Sequence, residues 1–432
     1  MKIIEIIKKL YPFDYSIAGG GNDKAIRVFK KFFPFKVHKF NTGQSYNGWK
    51  IPHAWEAVKG IIKDKNKIIF NSKNKFFGLA IQSKSFKGFV SYNELKKRIF
   101  YSKILSNATP YNWTGLYRLK SFDWGFSMSS TEFSKIKNKK YFVDIKTKSK
   151  RSTMKILEFT LKGENPETII INAHNCHPYQ ANDDISGCAV GIKIFQMLQK
   201  MKKRKFTYTL LIAPELYGPV FWLKNINSKK MKKIKYAILL KAVGNNNSIK
   251  LQHSTNEYSQ IDLLAKNALR KQKEKFKIGQ FRTIYGNDEI VFNSPGYNIN
   301  TVTFTRMPFK EYHTDLDIPD KLSEKKLNNI YLINRDIILD LEKNIRYKNV
   351  KRGVIALSNS KYNLYLKAIA PGIDKKKYTD LNRRWNLLMN NLPSCFEKFM
   401  SVDQIALKHK LPYREVLKYC IKWKNKKLIK EY

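Results

Sequence analysis

The chain has 432 residues, 43% hydrophobic and 13% aromatic, and 83 Lys and Arg face 34 Asp and Glu, a formal net charge of +49. The length predicts two or three domains, the hydrophobic content excludes wholesale disorder, and the lack of an apolar run of roughly 20 residues excludes a membrane span. The four cysteines are scattered without a CxxC pair, which excludes a disulfide framework and predicts a reduced, cytoplasmic protein.

The positive charge consists mainly of lysine, spread along the whole chain and accompanied by abundant Asn and Ile. A basic balance of this size suits a nucleic acid or an anionic surface as partner. Lysine spread in this way, however, is also what an AT-rich coding sequence gives to any solvated surface. We favour the second interpretation and expect nucleic-acid binding to be the minor one.

The first 45 residues contain two predicted helices and a strand. The stretch MKIIEIIKKLYPFDYS carries charges every few residues and no cleavage site, so it predicts an amphipathic helix rather than a signal peptide. A loop around IAGGGND, a helix KAIRVFKKFF and a strand FKVHKFN follow. Residues 46–135 hold most of the tryptophans and short β-type runs such as KIIFN and GFVSY. We expect this segment to be a β-rich domain that is inserted into the domain to which the first 45 residues belong.

Strands and helices alternate between residues 136 and 345. The predicted strands are YFVDIKT, KILEFTL, TIIINA, TYTLLIA, YAILLKA and NTVTFT, and the predicted helices include DLLAKNALRKQKEK and KLNNIYLINRDIILDLEKN. This alternation predicts an α/β layered domain with a parallel or mixed sheet, built from residues 1–45 and 136–345. Residues 346–377 are expected to be a linker.

The tail, residues 378–432, predicts three short helices and a small β end, an order typical of a winged helix. A winged helix often binds DNA through its recognition helix. The candidate helix, PYREVLKYCIKWKNKKLIK, is basic but offers only Arg414 as a bidentate base reader. We therefore favour a packing or oligomerisation module, in a possible homo-oligomer, and keep DNA binding as the alternative.

Side chains of the types that bind zinc follow several predicted strands. A catalytic zinc ion takes three His, Asp or Glu ligands and keeps one position open, and ligands of open α/β sheets gather at the carboxyl ends of the strands. A single loop Asp is usually only a helix cap, so the prediction depends on the whole set. Its members are His174, His177, Asp183 and Asp184 after TIIINA, Glu215 after TYTLLIA, Asp288 and Glu289 before a Ser-Pro-Gly turn, and His313 after NTVTFT.

The motif NDDISG resembles the Asp-Asn/Asp-x-Ser-Gly signature of zinc-dependent exopeptidases of the aminopeptidase type. More closely, the chain resembles a bacterial aminopeptidase-like family with an inserted domain and a winged-helix tail, often encoded among polysaccharide and flagellar-glycan biosynthesis genes. The resemblance implies an aminopeptidase-like α/β/α core with a mixed sheet. The matching motifs are SIAGGGN, WKIPHAW, WGFSMS, CHPYQANDDISG, PELYG, GNDEIVFNSPG, EYHTDLD and KRG.

The resemblance also implies roles for four residues. Residue-by-residue matching makes His177, Asp183 and His313 the zinc ligands. Glu215 matches the general base, a carboxylate that takes a proton from the activated water and passes it to the leaving amine.

Four neighbouring residues have less definite roles. Asp288 and Glu289 either accept hydrogen bonds from the α-amino group of a substrate or support the metal ligands. His174 is a further ligand, an electrophilic neighbour or an ordinary loop histidine. Cys176 lacks a thiolate–zinc pattern, so we interpret it as structural.

The chain departs from the two-metal members of the resembled superfamily at two positions. Those proteins carry two adjacent glutamates, base and ligand, where this chain has Glu215 and Leu216. They also carry an Asp ligand near the position of Lys241. Leucine cannot bind a metal and lysine repels one, so we predict one zinc ion per chain.

The leading hypothesis is therefore a zinc metallohydrolase of aminopeptidase type. It would cleave an amide next to a free amine, or an amide on a small glycan-related precursor. Two alternatives stay open: a metal-binding sugar- or acyl-modifying protein of surface-glycan or flagellin modification without peptidase turnover, and a winged-helix regulator that binds nucleic acid.

Overall fold

The structure is a computed structural model that describes residues 1–115, 123–257, 259–343, 345–366, 379–398 and 400–431. The chain divides into two units, Met1–Ile337 and Ile338–Tyr432. The strands of the first unit are, in chain order, β1 (Lys36–Asn41), β2 (Ser45–Tyr46), β3 (Trp49–Lys50), β4 (Ala54–Asp64), β5 (Lys67–Asn71), β6 (Phe86–Val90), β7 (Ile99–Phe100), β8 (Phe126–Ser127), β9 (Tyr141–Lys150), β10 (Thr153–Leu161), β11 (Thr168–His174), β12 (Thr207–Ala213), β13 (Ile234–Lys241), β14 (Ile249–Gln252), β15 (Phe276–Gly279) and β16 (Asn300–Thr305).

Ten α-helices begin in the described part of the first unit, and the last of them continues into the second unit. They are α1 (Ile3–Leu10), α2 (Gly21–Phe29), α3 (Tyr92–Lys97), α4 (Ser130–Phe133), α5 (Ser186–Lys200), α6 (Tyr217–Asn225), α7 (Ser228–Met231), α8 (Gln260–Arg270), α9 (Glu289–Phe292) and α10 (Glu324–Lys343). The two helices and the strand predicted in the first 45 residues are confirmed as α1, α2 and β1.

A mixed eight-stranded sheet with the order β1-β10-β12-β11-β13-β16-β14-β15 forms the core of this unit. Its central strands β12, β11, β13 and β16 run parallel, while β10 and β14 join them antiparallel. Every residue of β11 and β12 is buried, as expected for strands covered on both faces. The prediction of an α/β fold with a mixed sheet is confirmed.

Helices pack on both faces of the large sheet. Gly191 of α5 lies so close to one face that an added Cβ would be 2.8 Å from Leu210 of β12. The opposite face of β12 carries Leu211, which belongs to the apolar cluster around Trp222 of α6. Because alternate strand residues point to opposite faces, β12 packs against α5 through Leu210 and against α6 through Leu211.

The tryptophan-rich segment forms a separate antiparallel sheet with the order β5-β4-β9-β6. Strand β9, YFVDIKTKSK, was expected in the large sheet, and this expectation was wrong. Only residues 151 and 152 separate β9 from β10, a spacing that suggests a single hairpin. Tyr141, Val143 and Ile145 instead pack into the apolar core of the smaller sheet.

The second unit contains α11 (Asp380–Glu397), α12 (Val402–Lys408) and α13 (Tyr413–Asn425), with β17 (Tyr347–Asn349) paired antiparallel to β18 (Ile429–Glu431). Part of the expected linker is therefore structured here, because Tyr347 and Leu364 join the core of this unit. The rest of the expected linker, residues 367–377, lies outside the described residues. The winged helix stays a prediction, as do the domain boundaries. Among the described helices, none is both long and apolar enough to cross a membrane.

Candidate metal site and catalytic cavity

The predicted site residues meet at the carboxyl ends of the four parallel strands. His174 is the last residue of β11 and Lys241 the last residue of β13. Glu215 follows β12 and His313 lies in the loop after β16. This is the edge at which open α/β sheets bind ligands.

The loop between β11 and α5 is held in place by two buried carboxylates. Asp317 accepts hydrogen bonds from the backbone N–H groups of Asn182 (2.7 Å) and Asp183 (3.0 Å). Asp184 accepts hydrogen bonds from Ala242 N (2.9 Å) and Gly187 N (3.2 Å). Burial raises the pKa of Asp184 to about 7. The position of Asp183 is therefore fixed from both sides of its own backbone.

The two oxygens of Asp183 face different partners. Oδ1 accepts from the Lys241 ammonium and lies 3.0 Å from His174 Nε2. Oδ2 lies 3.1 Å from His313 Nε2, but the two atoms are not aligned for a hydrogen bond, and both are buried without one among the described residues. Burial alone would raise the pKa of Asp183, but the charge of Lys241 outweighs it and holds the pKa well below its ordinary value.

His177 lies between the two predicted acidic partners. Its Nε2 is 3.7 Å from Glu215 Oε2, and its Nδ1 is 3.9 Å from Asp183 Oδ1. Burial holds the pKa of His177 well below its ordinary value, so the ring is neutral at pH 7. A neutral imidazole is the form that binds a metal ion.

Lys241 is fully buried in the centre of the site. Its ammonium contacts Asp183 Oδ1, lies 2.9 Å from His174 Nε2, and faces the rings of Tyr285 (5.6 Å) and Tyr312 (5.9 Å). Burial alone would lower the pKa of Lys241, but the carboxylates of Asp183 and Glu215 raise it well above its ordinary value. A permanent positive charge therefore occupies one side of Asp183.

Glu215 is the acidic side chain of the site that solvent can reach. Its side chain is 20% exposed, and Asn287 Nδ2 donates a 2.6 Å hydrogen bond to its Oε1. Asn287 therefore orients the carboxylate and leaves Oε2 facing His177. From the motif GNDE the sequence predicts roles for Asp288 and Glu289 only, and no local pattern indicates a role for Asn287.

Asp288 and Glu289, the predicted substrate-binding pair, are fully buried and do not line the cavity. Asp288 accepts from Leu216 N (2.6 Å), and both oxygens of Glu289 accept from Asn287 N (2.8 and 3.0 Å). Burial raises the pKa of each carboxyl to about 7. Their contacts match the supporting role that the sequence analysis left open, because they hold the segments that carry Glu215 and Asn287.

The other two residues with less definite roles, His174 and Cys176, lie beside the predicted ligands. The Nε2 atom of His174 contacts both Lys241 and Asp183 and is fully buried. Cys176 Sγ accepts from Glu215 N (3.2 Å) and lies 3.5 Å from His177 Nδ1. Burial raises the pKa of the Cys176 thiol well above its ordinary value, in keeping with a structural thiol.

Residues of the β-rich segment hold the loop that carries His313. Tyr111 N donates to His313 O (2.7 Å), and Thr109 N donates to Asp315 Oδ1 (2.8 Å). The ring of His313 stacks on Tyr312 at 3.9 Å between centroids. The β-rich segment therefore positions a predicted ligand directly.

The donor set fits zinc. Imidazole and carboxylate are zinc ligands, and two ligand atoms that share a tetrahedral zinc ion lie about 3.3 Å apart. The buried, unaligned atoms His313 Nε2 and Asp183 Oδ2 are 3.1 Å apart, and ligand atoms of His174, His177 and Asp183 also lie within 4.8 Å of one another. Next to these residues a cavity of about 470 Å³ opens, lined by His177, Glu215 and His313.

Solved structures with this fold include aminopeptidases. A Clostridium acetobutylicum protein provisionally described as a peptidase aligns with a TM-score of 0.74 and 23% identity over 100% of this chain and 96% of its own. BSAP, a zinc aminopeptidase from Bacillus subtilis, aligns with a TM-score of 0.60 and 15% identity over 79% of this chain and 94% of its own. The aminopeptidase of Aneurinibacillus sp. strain AM-1 aligns with a TM-score of 0.56 and 16% identity over 78% and 92%. The expected aminopeptidase-like fold is confirmed.

Sequence comparison finds a curated relative and a family. A Clostridium acetobutylicum protein, provisionally described as a polysaccharide biosynthesis protein with an aminopeptidase-like domain, is 26% identical over 352 residues, 81% of this chain and 80% of its own. The model of a family described as a domain of unknown function, DUF4910, matches residues 4–344. Because this match spans the whole large sheet and every predicted site residue, the chain belongs to the DUF4910 family.

Proposed function

We propose that the chain is a zinc-dependent hydrolase of aminopeptidase type, which cleaves an amide next to a free amine or on a small glycan-related precursor. The observation that carries the proposal is the arrangement of Glu215 and His177, 3.7 Å apart on an open cavity, beside the buried pair Asp183 and His313. The aminopeptidases of the same fold support the reaction class. The name of the polysaccharide biosynthesis relative supports the glycan setting.

One zinc ion would be held by His177, Asp183 and His313. Asp183 would offer this ion its Oδ2 atom, because Oδ1 already accepts from Lys241. The ammonium of Lys241 stands on the other side of the carboxylate, where it repels a second cation. Leu216 offers no ligand atom. These contacts support one zinc ion per chain rather than two.

A bound zinc ion with an open position would supply Lewis-acid activation of water and of an amide carbonyl. The chain's own residues handle the proton. Glu215 Oε2 takes a proton from the attacking water and delivers it to the amide nitrogen as the C–N bond breaks. Asn287 keeps the other oxygen of Glu215 bound during this transfer, and Lys241 balances the charge of Asp183.

The test combines metal content and turnover. Glu215→Gln keeps the shape of the side chain but cannot take a proton, so we expect hydrolysis of amino-acid p-nitroanilides to fall by about 10²-fold or more. Zinc should stay at one equivalent per chain, measured by elemental analysis of protein purified without chelators. Normal turnover of the variant would make Glu215 structural, and loss of zinc would make it a ligand.

The second candidate function is a metal-binding sugar- or acyl-modifying protein without peptidase turnover. The observation that favours it is the occupation of one side of Asp183 by Lys241, since the chain would then lack a second metal ion. One measurement separates the two functions. Zinc-loaded wild-type chain that binds one ion and hydrolyses none of a panel of amino-acid p-nitroanilides would support the second candidate.

A further inference from the structure

The cavity beside the candidate metal site is built from distant parts of the first unit. Loop residues Ser16–Gly19 form one wall, and the β-rich segment contributes Trp49, Trp55 and Trp113. The loop 282–287, between β15 and α9, completes it. Apart from Asn287, which orients Glu215, these walls have no part in the proposed reaction or the predicted ligand set, so they are available to select the substrate.

The aromatic rings of the cavity offer apolar faces and few free polar atoms. Trp55 Nε1 donates to Ser83 O (2.8 Å), and the hydroxyls of Tyr285 and Tyr312 bond to each other (2.6 Å). Polar groups that already have partners contribute little to recognition of a neutral polar substrate. The aromatic walls therefore suit a hydrocarbon chain or a flat ring, and a charged side chain on the cavity would add a stronger, directional contact.

The charged residues of the cavity are unequally distributed. Among the described lining residues, Glu215 is the sole carboxylate and Arg282 is the sole side chain with a permanent positive charge. Asp288 and Glu289, which were expected to attract an amine, are buried behind the wall. Apart from the carboxylate of Glu215, the permanent charge that a substrate can contact on the described cavity wall is therefore the guanidinium of Arg282.

Arg282 is exposed and lines the cavity, so its guanidinium is accessible to an anion. Among the residues that the structure describes, none accepts a hydrogen bond from its guanidinium. Burial raises the pKa of Glu289 and the charge of Arg282 opposes this rise, but both oxygens of Glu289 accept from Asn287 N instead. The guanidinium lies over Gly286, where an added Cβ would come within 2.5 Å of Arg282 Nη2. A glycine at this position thus leaves room for the guanidinium on the cavity side.

We propose that the cavity selects substrates whose aminoacyl part carries a carboxylate, and that Arg282 binds this group. A guanidinium binds a carboxylate through two parallel hydrogen bonds, a geometry that lysine does not offer. The aromatic walls cover the carbon atoms between the carboxylate and the scissile amide. This inference rests on the proposed hydrolase function and names its substrate class.

The kinetic test compares substrates that differ only in charge. With the zinc-loaded full chain, we expect kcat/KM for glutamyl p-nitroanilide to exceed that for glutaminyl p-nitroanilide by roughly 10- to 100-fold, as for hydrogen bonds to a charged group. In Arg282→Gln the ratio should fall to about one, because the substrate carboxylate then loses its guanidinium partner. A wild-type ratio near one, or an unchanged ratio in Arg282→Gln, overturns the inference.

Two further variants separate position from general charge. Arg270→Gln removes an exposed arginine at the end of α8, outside the cavity, and should leave the ratio at the wild-type value. Gly286→Ala keeps Arg282 but displaces its guanidinium, so the ratio should fall although the net charge is unchanged. A ratio that falls equally in Arg270→Gln, or stays unchanged in Gly286→Ala, contradicts recognition by Arg282 in this position.

A binding measurement keeps the inference separate from the reaction. Calorimetry on the zinc-free full chain compares 4-phenylbutyrate with 4-phenylbutyramide, so that no metal competes for the carboxylate. We expect the acid to bind about tenfold more tightly than the amide in the wild type, and equally in Arg282→Gln. Equal binding of the acid and the amide to the wild type overturns the inference. Binding of inorganic phosphate at Arg282, without binding of the acid, overturns it as well. No turnover of any substrate, with acid binding intact, overturns the proposed hydrolase alone.

Discussion

At the scale of single residues, the site depends on charged side chains that are buried away from water and contact one another. Asp183, His174 and Lys241 are all fully buried and in contact with one another. Removing one partner of such a set leaves an uncompensated buried charge, which costs about 3–5 kcal/mol. Lys241 is therefore both a structural cation and the group that keeps a second metal ion away.

Replacing Lys241 tests this dual role. In Lys241→Asp the shorter carboxylate leaves open the space that the ammonium fills, and Asp183 Oδ1, His174 Nε2 and the new carboxylate then offer three zinc ligands around this space. We expect elemental analysis to find about two zinc ions per chain instead of one, with folding checked by circular dichroism in the presence of zinc. Lys241→Met is the matched control; it removes the charge without adding a ligand and should stay at one. Two ions already bound by the wild type would contradict the assignment.

At the scale of elements, the site is assembled by loops that rigid strands hold in place. The carboxyl ends of β11, β12 and β13 bring His174, Glu215 and Lys241 together. The loop that carries His313 has a second support, because it pairs with the segment around Tyr111. The β-rich segment therefore contributes to the metal site as well as to the cavity.

We expect this support to appear in zinc affinity. Asp315→Ala removes the side-chain acceptor of Thr109 N and weakens the attachment of the His313 loop to the β-rich segment, while the backbone bond from Tyr111 N to His313 O remains. Losing partners that orient a metal ligand typically costs 10- to 100-fold in metal affinity, so we expect a loss of about tenfold or more. The measurement is competition for zinc against a chromophoric chelator. Asp320→Ala, which changes a highly exposed carboxylate nearby, should bind zinc like the wild type; an unchanged Asp315→Ala would show that the support is unimportant.

At the scale of the whole molecule, the excess of 49 positive charges needs no specific partner. Lysines occur along the entire chain, and the described helix α13 carries Lys418, Lys422 and Lys424 in addition to Arg414. Such a chain attracts any polyanion, because each neutralised phosphate releases counterions. General attraction and specific recognition of DNA differ in their dependence on sequence and salt.

A competition titration of the full-length protein separates the two. We expect genomic and random DNA fragments to bind equally and weakly at about 150 mM salt, and markedly more tightly at about 50 mM. A specific regulator would instead hold one fragment roughly 10³-fold or more tightly than random DNA. Retention of one fragment at nanomolar affinity under random competitor would favour the regulator over the hydrolase. Removal of residues 378–432 should change solubility or assembly more than zinc binding.

The sequence by itself determined the fold class and the place of the site. The β-branched runs that became β11, β12, β13 and β16 are local patterns, and each buried strand is recognisable without its neighbours. The position of polar residues directly after these runs is also local information. The position of β9 was predicted wrongly, because a short connection cannot tell a hairpin from a strand that crosses to another sheet.

The tertiary structure alone decided which atoms meet. Lys241 and Asp183 are 58 residues apart, and Asn287 and Glu215 are 72 apart, so no local pattern encodes either contact. Asp288 and Asn287 are neighbours in sequence and both are buried, yet of the two only Asn287 lines the cavity. Burial and charge pairing depend on packing between distant segments, and these two properties decide which carboxylates remain available for chemistry.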